Sequence, residues 1–118
     1  VQTCALPISI MLSTLTGSKL GIWVAHGEGK FLFPADTSGF KTALKFSYNS
    51  YPANPNGSPG AVAGICSTDG RHLAMMPHPE RCTYPHNWAH YPADRRDDQV
   101  SPWFEIFLNA REWIDKNS

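Results

Sequence analysis

The sequence predicts a sheet-based α/β or α+β fold in which strands come first and a helix comes last. Three observations carry that reading. Short apolar or alternating runs dominate the first two thirds of the chain. A dense cluster of turn formers, YPANPNGSPG (51–60), divides those runs, and the one long helical period falls in residues 101–118.

Taken in order, SIMLSTLTG (9–17) reads as a short helix, with Met11, Leu12 and Leu15 on one face and Gly17 as its stop. KLGIWVAH (19–26) is apolar and rich in β-formers, hence a buried strand running into HGEG (26–29). KFLFP (30–34) reads as another short strand, and PADTSG (34–39) as a loop or single turn. ALKFSYN (43–49) puts Leu44, Phe46 and Tyr48 on one face, the period of a half-buried strand.

In YPANPNGSPG proline presets φ while Asn and Gly tolerate positive φ, so this stretch is loop. AVAGICSTDGRHLAMMP (61–77) predicts a hairpin closed on Asp69-Gly70. HNWAHYPADRRDDQV (86–100) is polar and aperiodic, the pattern of a surface loop. In SPWFEIFLNAREWIDKNS Ser101 is placed to cap a helix, with Pro102 at its first position. Trp103, Ile106, Phe107, Ala110, Trp113 and Ile114 form its apolar stripe, read as core packing.

Bulk properties narrow the function. At 118 residues the chain is one domain or part of one. Ten Lys and Arg balance ten Asp and Glu, which gives no electrostatic drive toward nucleic acid or an anionic membrane. No apolar run approaches the roughly 18 residues of a membrane span. Cys4, Cys66 and Cys82 show neither a CxxC pair nor zinc spacing, so reduced thiols in a cytoplasmic protein are expected. VQTCALPIS has no basic n-region and is broken by Pro7, unlike a signal peptide. The chain begins at Val1 without an initiator Met, which points to a piece of something longer.

The chemistry concentrates in MMPHPER (75–81). In extended backbone, residues i and i+2 share a face about 6–7 Å apart, so the Glu80 carboxylate can reach the His78 imidazole. Pro77 and Pro79 hold the segment extended, which lowers the entropy lost in aiming the pair. A carboxylate that orients a histidine supplies the base and orienter of a nucleophile–base–orienter triad. Spacing alone leaves the alternative of a surface ion pair of little energetic weight.

MMPHPER, taken with NPNGS (54–58) and VAHGEG (24–29) upstream, resembles the glutaminase domain of the phosphoribosylformylglycinamidine synthase family. That domain is a class I glutamine amidotransferase of purine biosynthesis, at the C-terminal end of the large single-chain form. The likeness runs from about Ser9 to Ile114 and implies a flavodoxin-like α/β sheet, here truncated to a strand-rich half and a C-terminal helix. It sets residues 1–8 apart as a foreign or disordered stretch and makes 9–118 the C-terminal half of a glutaminase domain.

The resemblance implies L-glutamine as substrate and the synthetase domain of the same parent chain as partner. It implies ATP and Mg in that synthetase domain and no cofactor here. His78 and Glu80 map onto the family's His-Pro-Glu motif as general base/acid and orienter. The family's cysteine nucleophile sits in a Gly-x-Cys-x-Gly-like elbow, a context that none of Cys4, Cys66 and Cys82 has. The isolated chain is therefore expected to be inactive.

His26 and Gly27 lie where a loop could line the glutamine site, or simply form a turn after a strand. Asn56, with Asn54 and Ser58, could contact glutamine or a synthetase domain, and turn chemistry explains the same composition. Arg81 reads as a structural partner of Glu80, and DRRDD (94–98) as a solvated loop. His72, His86 and His90 lack metal-site spacing, so no metal is expected. Other readings stand beside this one: a non-catalytic fragment that docks to a synthetase, another class I glutamine amidotransferase, and a metal-dependent hydrolase.

Overall fold

The strand-forming runs assemble as one antiparallel sheet in a computed structural model that describes residues 1–118 apart from 7, 26 and 28. Its strands are β1 (Gln2–Ala5), β2 (Lys19–Gly21), β3 (Phe40–Phe46), β4 (Val62–Ser67) and β5 (Leu73–Met75). They lie side by side in the order β2-β1-β3-β4-β5, and every adjacent pair is antiparallel. The helix α1 (Glu105–Asn117) closes the chain after a 3₁₀ turn at Pro102–Phe104. Strand-rich sequence followed by a helix is therefore what the chain builds, with no parallel strand pair of a doubly wound sheet among the described strands.

The hairpin of β4 and β5 forms where its turn residues put it. Gly70 adopts φ 75°, while Asp69 Oδ1 accepts from Ser67 Oγ at 2.6 Å and from Arg71 N at 3.1 Å. Those bonds hold the Asp69 carboxyl below its ordinary value, the Ser67 hydroxyl contributing most. β3 begins three residues before the predicted run and is bulged between Thr42 and Lys45. The bulge breaks strict alternation, so Ala43 and Leu44 are both buried and Tyr48 beyond the strand end is exposed.

Other elements differ from expectation. Residues 9–17 form only a 3₁₀ turn at Ser13–Leu15, ended by Gly17 at φ 79°. An isolated helix of that length is marginal, and Ile10 N–H is drawn instead to Gly70 O at 3.1 Å. β2 stops at Gly21 because the chain turns toward the 78–82 segment, where Trp23 bridges His78. Residues 30–34 are not a strand; Phe31, Phe33 and Phe40 stack their rings, with centroids 5.6 and 5.2 Å apart in sequence.

Gln2–Ala5 lies within the stretch set apart from the domain, yet it forms β1 and pairs with β2 on one side and β3 on the other. Thr3 and Ala5 are buried, an alternation too short to read from four residues.

The core gathers Leu12, Leu15, Leu44, Phe46, Trp103 and Ile106 between sheet and helix. Ser101 Oγ accepts from Trp103 N at 3.3 Å, the expected cap, and Trp103 Nε1 donates to Gly21 O at 2.7 Å. The buried face of the helix is narrower than the predicted stripe. Trp103, Ile106 and Asn109 are buried, whereas Phe107 and Ile114 are exposed. No helix is long and apolar enough to cross a membrane among the described residues.

Candidate active site

The segment after β5 is steered by its prolines and by one strand end. Met76 N donates to Ala63 O at 3.0 Å, extending the hairpin, and His78 N donates to Trp23 O at 3.0 Å. His78, at φ −111° and ψ 88°, already falls short of the extended backbone expected of it, and Pro79–Arg81 turns as a 3₁₀ helix rather than continuing straight. Proline's fixed φ suits the first position of a helical turn as well as an extended chain, which is why spacing did not reveal the turn. Arg81 N donates to His78 O at 3.2 Å and Cys82 N to Pro79 O at 2.9 Å.

The turn brings Glu80 back onto the histidine, with Nδ1 and Oε1 2.6 Å apart. An ionised carboxylate only accepts hydrogen bonds, so the Nδ1 proton belongs to this contact and Nε2 is left as the basic nitrogen. Burial works to raise the Glu80 carboxyl, but the hydrogen bond from His78 and the nearby His78 and Arg81 charges prevail and hold it below its ordinary value. The side chains of His78 and Glu80 are 32% and 56% exposed, so the pair is open to an incoming group.

Two loops named by the sequence, NPNGS and HGEG, are joined to each other. Asn54 is buried and braces its own loop: Nδ2 donates to Ser58 O at 2.9 Å and Oδ1 accepts from Ser58 N at 3.0 Å. Asn56 Nδ2 donates to Gly29 O at 2.8 Å, and Ser58 Oγ accepts from Phe31 N at 3.4 Å. The NPNGS loop thus clasps the backbone just after HGEG. Gly27 is exposed, and a Cβ added there would meet nothing within 4 Å. His26 lies outside the described residues.

Each cysteine is engaged elsewhere. Cys66 is buried on β4, and burial pushes its thiol up. Cys4 on β1 turns its sulfur toward Ala5 O at 3.9 Å. Cys82 is buried, accepts from Trp23 N at 3.4 Å, and has its thiol raised by burial. Among the described residues no three His, Cys, Asp or Glu side chains converge as metal ligands.

Beside the pair a groove of about 470 Å³ runs along the open edge of β2, walled by Leu20, Ile22, Trp23, Cys82, Trp88 and Tyr91. It shares Trp23 and Cys82 with the support of the 78–82 turn, and neither His78 nor Glu80 lines it. Trp23 and Cys82 carried no sequence signal for this role. Trp23 reads as part of a buried strand, and Cys82 only as a thiol too close to the motif to face His78.

The chain is similar to known proteins over most of its length. The human phosphoribosylformylglycinamidine synthase is 44% identical over 128 residues, covering 93% of this chain and 9% of the relative. A probable chloroplastic/mitochondrial phosphoribosylformylglycinamidine synthase of Arabidopsis thaliana is 45% identical over 121 residues, covering 91% and 9%. The Drosophila melanogaster phosphoribosylformylglycinamidine synthase is 41% identical over 131 residues, covering 93% and 9%. The chain thus spans about a tenth of the length of these relatives. The family model of the CobB/CobQ-like glutamine amidotransferase domain matches residues 2–114, and the chain belongs to that family.

Proposed function

We propose that this chain forms the C-terminal part of the glutaminase of a phosphoribosylformylglycinamidine synthase. The observation that carries this is the 2.6 Å contact between His78 Nδ1 and Glu80 Oε1. Its setting, in a chain of this family, supports the choice. His78 acts as general base toward a cysteine thiol and then as general acid toward the departing ammonia. Glu80 fixes the tautomer with Nε2 free and stabilises the imidazolium.

The attacking thiol comes from a Gly-x-Cys-x-Gly-like elbow outside these 118 residues, since none of the three cysteines here has that context. Attack on the glutamine carboxamide gives a glutamyl thioester and ammonia, and water then releases glutamate. The ammonia serves a synthetase domain of the parent chain, where ATP and Mg support conversion of formylglycinamide ribonucleotide to formylglycinamidine ribonucleotide. Gly27 and Asn56 border the glutamine site, with Asn56 acting through the Gly29 backbone, and the sequence assigns His26, outside the described residues, to the same role. The antiparallel sheet is the strand-rich part of a flavodoxin-like glutamine amidotransferase fold. The setting is cytoplasmic, although the Arabidopsis thaliana relative is described as chloroplastic/mitochondrial.

The 118-residue chain alone is expected to release no glutamate from glutamine. In the longer enzyme, His78→Ala is expected to lower glutamine-dependent synthesis at least about 10²-fold while leaving synthesis from added ammonium intact. Glutamate release by the short chain that is abolished by His78→Ala overturns the absent-thiol reading. Equal loss with glutamine and ammonium overturns the catalytic role.

A further inference from the structure

The turn that carries His78 and Glu80 is spanned by the backbone of a single residue. Trp23 O accepts the His78 N–H at 3.0 Å, at the start of the turn. Trp23 N–H reaches Cys82 Sγ at 3.4 Å, at its end. One strand-end residue therefore grips both ends of the five-residue segment 78–82, and the grip at the far end is a thiol. Every polar atom of Cys82 is engaged. Its N–H closes the turn on Pro79 O at 2.9 Å, and its C=O accepts from Trp88 Nε1 at 2.8 Å and from Ser101 Oγ.

Through that carbonyl the turn is tied to the residue that caps the C-terminal helix. Cys82 is 1% exposed, and burial keeps the thiol protonated at neutral pH. Its sulfur serves as an acceptor, not a nucleophile.

We infer that Cys82 is a positioning residue for the His78–Glu80 pair: its sulfur, by accepting the Trp23 N–H, sets the span of the turn and so the separation of the two side chains. Cys82 touches neither substrate nor reacting atoms in this role. Without an acceptor at position 82, the Trp23 N–H is left in a half-buried site and the turn is held at one end only. The carboxylate then loses its fixed approach to Nδ1, and the histidine drifts toward the Nε2–H tautomer. The catalytic weight of this device rests on the glutaminase reading, whereas the device itself is a property of the histidine ring.

The test uses the 118-residue chain with ¹⁵N-labelled histidine, reading the Nδ1–H to Nε2–H tautomer ratio of His78 by long-range ¹H–¹⁵N correlation at alkaline pH. Cys82→Val, close in size but with no acceptor, is expected to lower the ratio about fivefold, the scale of one weak hydrogen bond. Cys82→Ser, which restores an acceptor, is expected to stay within about twofold of the unaltered protein.

A folded Cys82→Val with an unchanged ratio overturns the inference, as does a Cys82→Ser that matches Cys82→Val. Should Cys82→Val not fold, amide exchange in the unaltered protein decides. Trp23 and His78 amides protected to a similar degree support the clamp, and a Trp23 amide exchanging at the unprotected rate overturns it. Because these readouts need no glutamine, a failure here leaves the glutaminase reading standing, and a failure of that reading leaves these readouts unmoved.

Discussion

At Glu80 two opposed effects decide the charge. Burial favours the neutral acid, while the His78 hydrogen bond and the His78 and Arg81 charges favour the carboxylate and win, so the folded value lies below the ordinary 4.5. A depressed carboxyl contributes stability that is present above its unfolded value and lost as pH falls through the folded one. The pair is therefore intact at neutral pH and opens only on the acid side of 4.5. Following the Glu80 carboxyl by ¹³C NMR is expected to give a midpoint below 4.5, raised by His78→Ala because the main lowering contact is gone. A midpoint at or above 4.5 in the unaltered chain contradicts this. The effect on global stability stays small, since both side chains are substantially solvated.

Gly70 is decided by space as well as by conformation. It sits at φ 75°, and a Cβ there would lie 2.4 Å from Ile8 O. Gly70→Ala is expected to destabilise the chain by at least about 2 kcal/mol, read from denaturant midpoints at constant slope. An unchanged midpoint would show that the turn does not pack on the 8–10 segment. The Asp-Gly pair announces its turn in the sequence. The backbone pressed against it comes from Ile8, far away in the chain, and nothing local records that.

At the scale of elements, α1 shows how a helix can be legible while its buried face is not. Ser101, Pro102 and the apolar period locate it, yet the period includes Phe107 and Ile114, which stay exposed. Asn109 takes a buried place instead, donating from Nδ2 to Met11 O at 2.8 Å and to Thr14 Oγ1 at 2.9 Å. It locks the helix to the Ser13–Leu15 turn, so Asn109→Ala is expected to cost about 1–3 kcal/mol in denaturation, leaving the Met11 carbonyl unpaired. A loss below about 0.5 kcal/mol would mean that the bonds to Met11 and Thr14 do not hold the helix.

Trp113 comes to rest under the Arg71 guanidinium, 5.1 Å from its ring centroid, a contact that joins helix and hairpin turn. In β3 the bulge likewise overrides a period-2 pattern that was otherwise correct for Leu44 and Phe46.

For the whole molecule the proportions are those of a slab, 46 × 41 × 22 Å, with a radius of gyration of 14.5 Å. A compact domain of this length is expected near about 13.5 Å. β2 and β5 leave open sheet edges, and Trp23, Leu32, Phe107 and Ile114 are exposed large apolar side chains. Open edges and apolar patches favour association over a well-isolated monomer. The 118-residue chain is expected to melt broadly and at low temperature. A monomer with one sharp transition above about 60 °C, beyond most mesophile domains, contradicts that expectation.

What the sequence by itself determined were features written in neighbouring residues: the hairpin turn at Asp69-Gly70, the capped C-terminal helix, the loop around NPNGS, and the His78–Glu80 pair with its likeness to a glutaminase. Each depends on backbone preferences or side-chain reach over a few positions. Only the tertiary structure decided the β1 pairings, the collapse of the 9–17 helix to one turn, the narrow buried face of α1, and the grip of Trp23 on both ends of the 78–82 turn. Those depend on hydrogen-bond partners and packing surfaces brought from distant parts of the chain, and a local pattern cannot encode which distant group will arrive.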